Sequence, residues 1–307
     1  MNTLLKDAPP RIRQPRPTFK RSLIPYAYIS PTAALLLVLM MLPIILVIGY
    51  SFFDNVIVNK NPEFVGLANY VEILTDGVFA QALGNTLYFT FVSVGAHLVL
   101  GLSFAMLLNT RLLSSLSKAL FRAIYVMPWL FTVAIIAVLW RLLLNPNGVI
   151  NYVIITLGLS DTGIEWLSSR DTALIAVTFI NIWAGYPFFM VSLLAGLQGI
   201  PRDLYEAATV DGANPIQQFI HVTLPQLKPI IISMAMLDLI WTSQQFALIW
   251  MTTGGGPIND TEMLSTFTYK AAFSSYEFSQ ASASAVIVLL LSMVLAFFYV
   301  CHQTSRD

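Results

Sequence analysis

The chain has 307 residues, 57% of them apolar and only 10% charged, with a mean hydropathy of +0.73. Soluble chains are about 45–50% apolar and about 25% charged, so this one cannot cover a water-facing surface, and lipid must solvate most of it. One cysteine, Cys301, excludes an internal disulfide framework and a Cys-based zinc cage, and sixteen basic against sixteen acidic residues leave no basic excess for nucleic acid.

A helix crosses the hydrocarbon core with about 20 apolar residues. After a basic leader, six stretches meet that length: Ile29–Tyr50, Thr86–Leu108, Ala123–Leu144, Thr172–Leu194, Ile230–Met251 and Ala281–Tyr299, the last lengthened by the polar-poor run Ser279–Ala285. The first is longer than the roughly 7–15 residues of a signal-peptide core and no small-x-small cleavage site follows it, so it is expected to be a retained anchor. A seventh apolar run, Val149–Leu159, is about half the spanning length and reads as an interfacial or loop helix. The predicted fold class is therefore an all-α integral membrane protein with six transmembrane helices.

Orientation follows from the basic residues, because short basic loops resist translocation. With the N-terminus inside, twelve of the sixteen fall in inner segments: Lys6, Arg11, Arg13, Arg16, Lys20, Arg21, Arg111, Lys118, Arg122, Arg202, Lys228 and Arg306. Only Lys60, Arg141, Arg170 and Lys270 fall outside, while ten of the sixteen acids do. Both termini are expected in the cytoplasm. Pro43, Pro128 and Pro187 each remove a helical hydrogen bond inside a span and invite a kink, although proline is also common in transmembrane helices.

The loop from Gly199 to Pro225 lies on the predicted cytoplasmic side and reads as two short helices around a turn. Asp203 is placed to cap the first, with Glu206 three residues on in capping-box position and at the positive end of the helix dipole. Leu204, Ala207 and Ala208 share a face, and the two alanines let another surface come close. Gly212 is placed to end that helix in a left-handed conformation, Asn214-Pro215 to start the second, and Pro225 to stop it.

This stretch resembles the EAA loop of ABC-importer permeases. Glu206-Ala207-Ala208, Gly212 and Val222-Thr223-Leu224-Pro225 match its pattern, with Val222 in place of isoleucine as the only departure. Asp211-Gly212-Ala213 and Phe219 are similar to the sugar-importer branch. Thr252-Thr253-Gly254-Gly255-Gly256-Pro257 with Thr261, Leu264, Tyr269 and Ala272-Phe273 resembles the segment after span five in that branch's first, maltose-transporter-like permease subunit. The resemblance covers residues 81–300, beginning at Asn85-Thr86-Leu87, and divides the chain. Residues 1–28 are then a basic cytoplasmic tail, 29–80 the first anchor and outer loop, 81–300 the permease core with its coupling loop at 199–225, and 301–307 a second tail.

The resemblance implies a type I ABC-importer permease fold in a bacterial or archaeal cytoplasmic (inner) membrane. It implies a heterodimer with a second permease subunit, an ATPase dimer at the cytoplasmic face, and an extracytoplasmic solute-binding protein. Leu204, Glu206, Ala207, Ala208, Asp211 and Gly212 would contact the ATPase. The chain would bind no cofactor, with ATP and Mg held by the partner ATPase. Without these flanking matches Glu206 would read as part of an ordinary surface helix.

Polar groups in lipid are costly and face a bundle interior or a water-filled path. Asp238, Trp241, Thr242 and Gln245 recur at i, i+3, i+4 and i+7 in span five, with Gln244 beside them. Amides bond sugar hydroxyls and aromatic rings stack on the apolar sugar face, so Trp241, Gln244 and Gln245 are candidate substrate-pathway residues, as are Asn181, Trp183 and Tyr186 of span four. For each the structural alternative is an interhelical hydrogen bond or an interfacial aromatic belt. Asp238 and His97 are read as structural pairing residues, and with His221 and His302 elsewhere no metal cluster can be drawn.

Two other classes fit the sequence less well. An ion-coupled secondary transporter needs functional intramembrane acids and commonly internal repeats; only Asp238 qualifies, and the halves show no repeat. An intramembrane serine protease would have to use Ser103 and His97, which lie on one helix without a nucleophile motif. The chain carries no G-x-x-x-x-G-K-[ST] sequence, so it is read as a transport subunit and not as an enzyme. The resemblance to the sugar branch implies a sugar, oligosaccharide, polyol or sugar-phosphate as solute, and the few basic residues near the spans, Arg141 excepted, disfavour a strongly anionic one.

Overall fold

In lipid every backbone N–H and C=O must be bonded within its own segment, so the apolar runs fold as helices. The computed structural model describes residues 19–110 and 113–304, with side chains between residues 26 and 301. Lys6, Arg11, Arg13, Arg16, Arg111 and Arg306, with the side chains of Lys20, Arg21 and His302, lie outside the described residues. The chain divides into two units, Met1–Gly49 and Tyr50–Asp307. Helix α1 (Phe19–Tyr50) forms the first unit's regular structure and contains the expected first span, with Pro43 inside it.

In the second unit α2 (Ala68–Thr75) meets α3 (Gly77–Asn109) at Asp76, whose Oδ1 accepts from the Val78 N–H at 2.7 Å and starts the long helix. The expected third span is two helices, α4 (Ser115–Leu130) and α5 (Val133–Leu143), bent by 99° at Phe131–Thr132. Pro128 weakens the turn before the break, and Thr132 Oγ1 starts the new helix by accepting from Ile135 N–H at 3.4 Å. Helix α6 (Val149–Thr156) is the short helix expected there. Helix α7 (Ala173–Gly199) passes Pro187 unbroken.

Pro225 does not stop the second loop helix as expected. After α8 (Arg202–Val210), α9 (Pro215–Gln218) leads through a π-helical turn (Phe219–Thr223) into α10 (Leu224–Ser243). Pro215–Ser243 is thus one continuous helix of 29 residues. Pro225 does not stop it, because the π turn, with Leu224 N–H reaching back five residues to Phe219 O, widens the backbone where the ring would otherwise clash.

The expected fifth span also ends early. The helix stops at Ser243, Gln244–Phe246 is non-helical, and α11 (Ala247–Thr252) is a separate short helix. The hydroxyl of Ser265 donates to the Gln245 carbonyl at 2.8 Å, bonding a backbone acceptor within the break. Helices α12 (Leu264–Phe273) and α13 (Phe278–Thr304) complete the unit. Among the described residues five helices are long and apolar enough to cross a membrane, and the bent α4–α5 pair counted as one span makes six.

Helices α3 and α7 pack at the centre. Gly101 on α3 lies against the Phe189 and Met190 backbone of α7, where an added Cβ would stand 2.9 Å from Met190 N. Small residues of this kind let membrane helices gain van der Waals contact without a hydrophobic drive. Ala105 and Leu108 then pack with Met190, Leu193 and Leu197, closed by Leu227 and Met234 of α10.

Candidate functional site

Two regions gather the predicted residues. The first is the α8–α9 hairpin. Here α8 begins two residues earlier than expected: Pro201, with φ −59° and ψ 136°, sets the chain up for the helix, and Asp203 is a first-turn residue and not its cap. No side chain caps α8, so Glu206 has no capping-box role. It lies instead at a cavity of about 570 Å³ that also meets Lys118, Arg202 and Tyr205.

The turn behaves as predicted. Gly212 has φ +81°, its N–H reaches Thr209 O at 3.0 Å, and Ala213 N–H reaches Ala208 O at 2.9 Å. Those two bonds form a Schellman motif. Asn214 and Gln217 exchange a reciprocal capping box with Pro215 at the first helical position. The hydroxyls of Tyr205 and Thr223 meet at 2.9 Å, and Gln218 Nε2 donates to Thr209 Oγ1 and Ala213 O, both at 3.1 Å. The hairpin is braced from within while no residue of α8 is buried. Leu204, Glu206, Ala207, Asp211 and Gly212 are exposed and Ala208 is half-buried, so the shared face of Leu204 and the alanines is open.

The second region is a cavity of about 310 Å³ among α4, α5, α7 and α10. It brings together Asn181, Trp241 and Gln245 of the predicted pathway residues. Gln245 reaches it from the break after α10, not as a fourth position on a helical stripe. The structure sends the other three elsewhere. Gln244 Nε2 donates to Ser292 Oγ of α13 at 3.1 Å, Trp183 packs edge-on against Trp140 at 5.4 Å, and Tyr186 is buried against Phe104 at 5.2 Å. Each takes a partner on a neighbouring helix.

Sequence reasoning missed Trp129 and Phe188, whose rings join Trp241 along the cavity wall, with centroids 6.1 Å apart for Trp129–Phe188 and 5.8 Å for Phe188–Trp241. Each directly follows a proline inside a span, Pro128 and Pro187, and that repeated Pro-aromatic pair was the available signal.

Polar chemistry at this cavity centres on His97 of α3. Its Nδ1 is 2.8 Å from Asp238 Oδ2, its Nε2 is 3.1 Å from the Asn181 carbonyl, and Asp238 Oδ1 accepts from Thr242 Oγ1 at 3.0 Å. Asn181 is 6% exposed, and its amide nitrogen has no partner among the described residues. The cavity therefore sets Asn181, whose buried amide nitrogen is unpaired, beside the His97–Asp238 pair and three aromatic rings. Such a surface suits hydroxyls on one edge of a ligand and C–H groups on its face.

A second ion pair with a buried carboxylate sits beyond α11. Glu262 is 1% exposed and pairs with Lys270, and their charged ends occupy the space where a Gly255 side chain would project. Asn85 Nδ2 donates to the carbonyls of Asp260 and Glu262 at 3.1 and 3.0 Å, and Arg170 pairs with Asp260 at 2.9 Å. These bonds fix the glycine-rich segment to α3.

Comparison with known proteins agrees with this architecture. Residues 97–304 match the family model described as binding-protein-dependent transport system inner membrane component. The chain is 35% identical over 290 residues to the trehalose/maltose transport system permease protein MalF of Thermococcus litoralis, covering 94% of this chain and 95% of that one. It is 33% identical over 281 residues to the sulfoquinovosyl glycerol transport system permease protein SmoG of Agrobacterium fabrum, covering 91% and 90%. Its fold is similar to a chain of a bacterial ABC transporter involved in the import of the acidic polysaccharide alginate, with a TM-score of 0.79, 23% identity, and 94% and 96% of the two chains covered. The chain belongs to the binding-protein-dependent transport family and is a membrane-spanning permease subunit of an ABC importer, a transport component and not an enzyme.

Proposed function

We propose that this subunit forms half of the pathway for an uncharged sugar or sugar-like solute in a bacterial or archaeal cytoplasmic (inner) membrane, with both termini in the cytoplasm. A second permease subunit completes a heterodimer, an extracytoplasmic binding protein delivers the solute, and an ATPase dimer holding ATP and Mg docks on the 199–225 loop. Leu204, Glu206, Ala207, Ala208, Asp211 and Gly212 form the docking surface, and Asn181, Trp241 and Gln245 contact the solute in passage.

One observation carries this reading. The exposed α8 is braced to a hairpin whose second arm is continuous with α10, and α10 ends at the cavity. A force applied at the loop thus has a direct path to the solute-facing side chains. The ion-coupled alternative needs an intramembrane acid free to bind a coupling ion, whereas Asp238 is engaged by His97 and Thr242.

The test is reconstitution of the subunit with its partner permease, ATPase and binding protein in proteoliposomes, followed by uptake of radiolabelled maltose, trehalose and sn-glycerol 3-phosphate. ATP-dependent uptake of a neutral sugar in preference to the phosphate is expected. Uptake driven by an ion gradient without ATP would overturn the reading.

A further inference from the structure

Three observations meet at His97 and Asp238. The first is mechanical. The helix Pro215–Ser243 is 29 residues long, about 43 Å at 1.5 Å per residue, and Asp238 and Thr242 lie in its last two turns. Its other end is the capped turn of the loop at Asn214.

The second is chemical. The Asn181 carbonyl can only accept, so His97 Nε2 donates to it; one hydrogen then lies between Nδ1 and Asp238 Oδ2, and Oδ1 takes the Thr242 hydroxyl. Both side chains are buried, His97 at 2% exposure and Asp238 at 8%. Apolar side chains of similar volume could hold three helices about as firmly, but leucine and isoleucine surfaces offer many equivalent registers. This set of hydrogen bonds has one.

The third is steric. Gly185, one turn beyond Asn181, leaves the space that the imidazole fills, so the ring seats directly on the α7 backbone. The residue whose carbonyl it grips also lines the cavity, and its buried amide nitrogen has no partner among the described residues.

We propose that His97 and Asp238 are positioning residues of transport. They fasten the loop-continuous helix to α7 at Asn181, so that a displacement of the loop reaches the cavity as a joint movement of α10, the imidazole and the Asn181 amide. The proposal rests on the reading that an ATPase docks on α8.

The test uses the full importer, this chain with its partner permease and ATPase, in lipid nanodiscs. Spin labels are placed at Val99→Cys on α3 and Met236→Cys on α10, each two residues from the pair, in a Cys301→Ser background. Distances are read by electron paramagnetic resonance without nucleotide and with ATP plus vanadate, and no solute is needed. With the pair intact the distance changes by less than about 2 Å between the two states; with Asp238→Ala or His97→Ala it changes by about 5 Å, one helical turn. Asp238→Asn restores the fixed distance, because its amide donates to Nδ1 while its carbonyl accepts from Thr242.

A purely structural pair predicts no such pattern. Alanine variants that behave as the unsubstituted protein, or Asp238→Asn behaving as Asp238→Ala, would overturn the proposal. If the alanine variants fail to assemble, His97→Gln, which keeps one of the ring's two bonds, is read instead: a change above about 2 Å supports the proposal, and a fixed distance overturns it. A complex that never captures an ATPase counts against the docking reading and overturns both, whereas failed sugar uptake leaves these distances measurable.

Discussion

The imidazole of His97 on α3 occupies the space into which a side chain at Gly185 on α7 would project. The ring cannot swing away without giving up Asp238 and the Asn181 carbonyl. Gly185→Ala is therefore expected to lower stability by about 1–3 kcal/mol, the usual cost of overpacking a rigid site. Gly101→Ala, which meets α7 backbone, is expected to cost at least as much. Thermal unfolding in detergent measures both, and an unchanged midpoint for Gly185→Ala would show that the ring yields.

The Glu262–Lys270 pair gives a second expectation. Lys270→Met leaves a buried carboxylate without its cation, and breaking a buried pair from one side costs about 3 kcal/mol or more. Glu262→Gln combined with Lys270→Met is expected to recover most of that loss, since no charge then remains buried. The same unfolding assay on Lys270→Met, Glu262→Gln and the double variant forms a double-mutant cycle.

At the loop, Gly212→Ala forces a Cβ into φ +81°, at a cost of about 1–2 kcal/mol. Asn214→Ala removes the capping box, at about 1 kcal/mol. Both are local to the hairpin. Faster amide hydrogen exchange at Ala213 and Gln217, with the α3–α7 core unchanged, is the expected readout.

The cavity predicts a split among the polar and aromatic residues. Asn181→Ala and Trp241→Ala are expected to reduce sugar uptake about tenfold, whereas Gln244→Ala, whose amide is spent on Ser292, is expected to change it less than twofold. Equal effects from Gln244→Ala and Trp241→Ala in the uptake assay would place Gln244 on the pathway.

What was legible in the sequence was what local chemistry decides. Gly212 and Asn214-Pro215 carry their own turn and cap instructions, and both are met. Spans long and apolar enough to have no alternative in lipid were also readable. Continuity was not. Whether Pro225 ends a helix depends on a π turn that no single residue announces, and the break after Ser243 is bonded by Ser265, twenty residues beyond Gln245. The substrate stripe failed halfway for the same reason. Periodicity assigned Trp241 and Gln245 to one face, yet Trp183, Tyr186 and Gln244 are claimed by partners on other helices. Trp129 was hidden because the 99° bend that turns α4 away from α5 lies beyond the proline that suggested it.

The coupling claim is tested most directly at Glu206, the exposed carboxylate on α8. Co-purification of the ATPase with the tagged subunit, and ATP-driven sugar uptake by the same preparation, are measured for the unsubstituted protein and for Glu206→Lys. A subunit that folds and pairs with its partner permease, but loses the ATPase and at least about tenfold of its uptake, is the predicted result. An ATPase retained in full, with uptake unchanged, would contradict it.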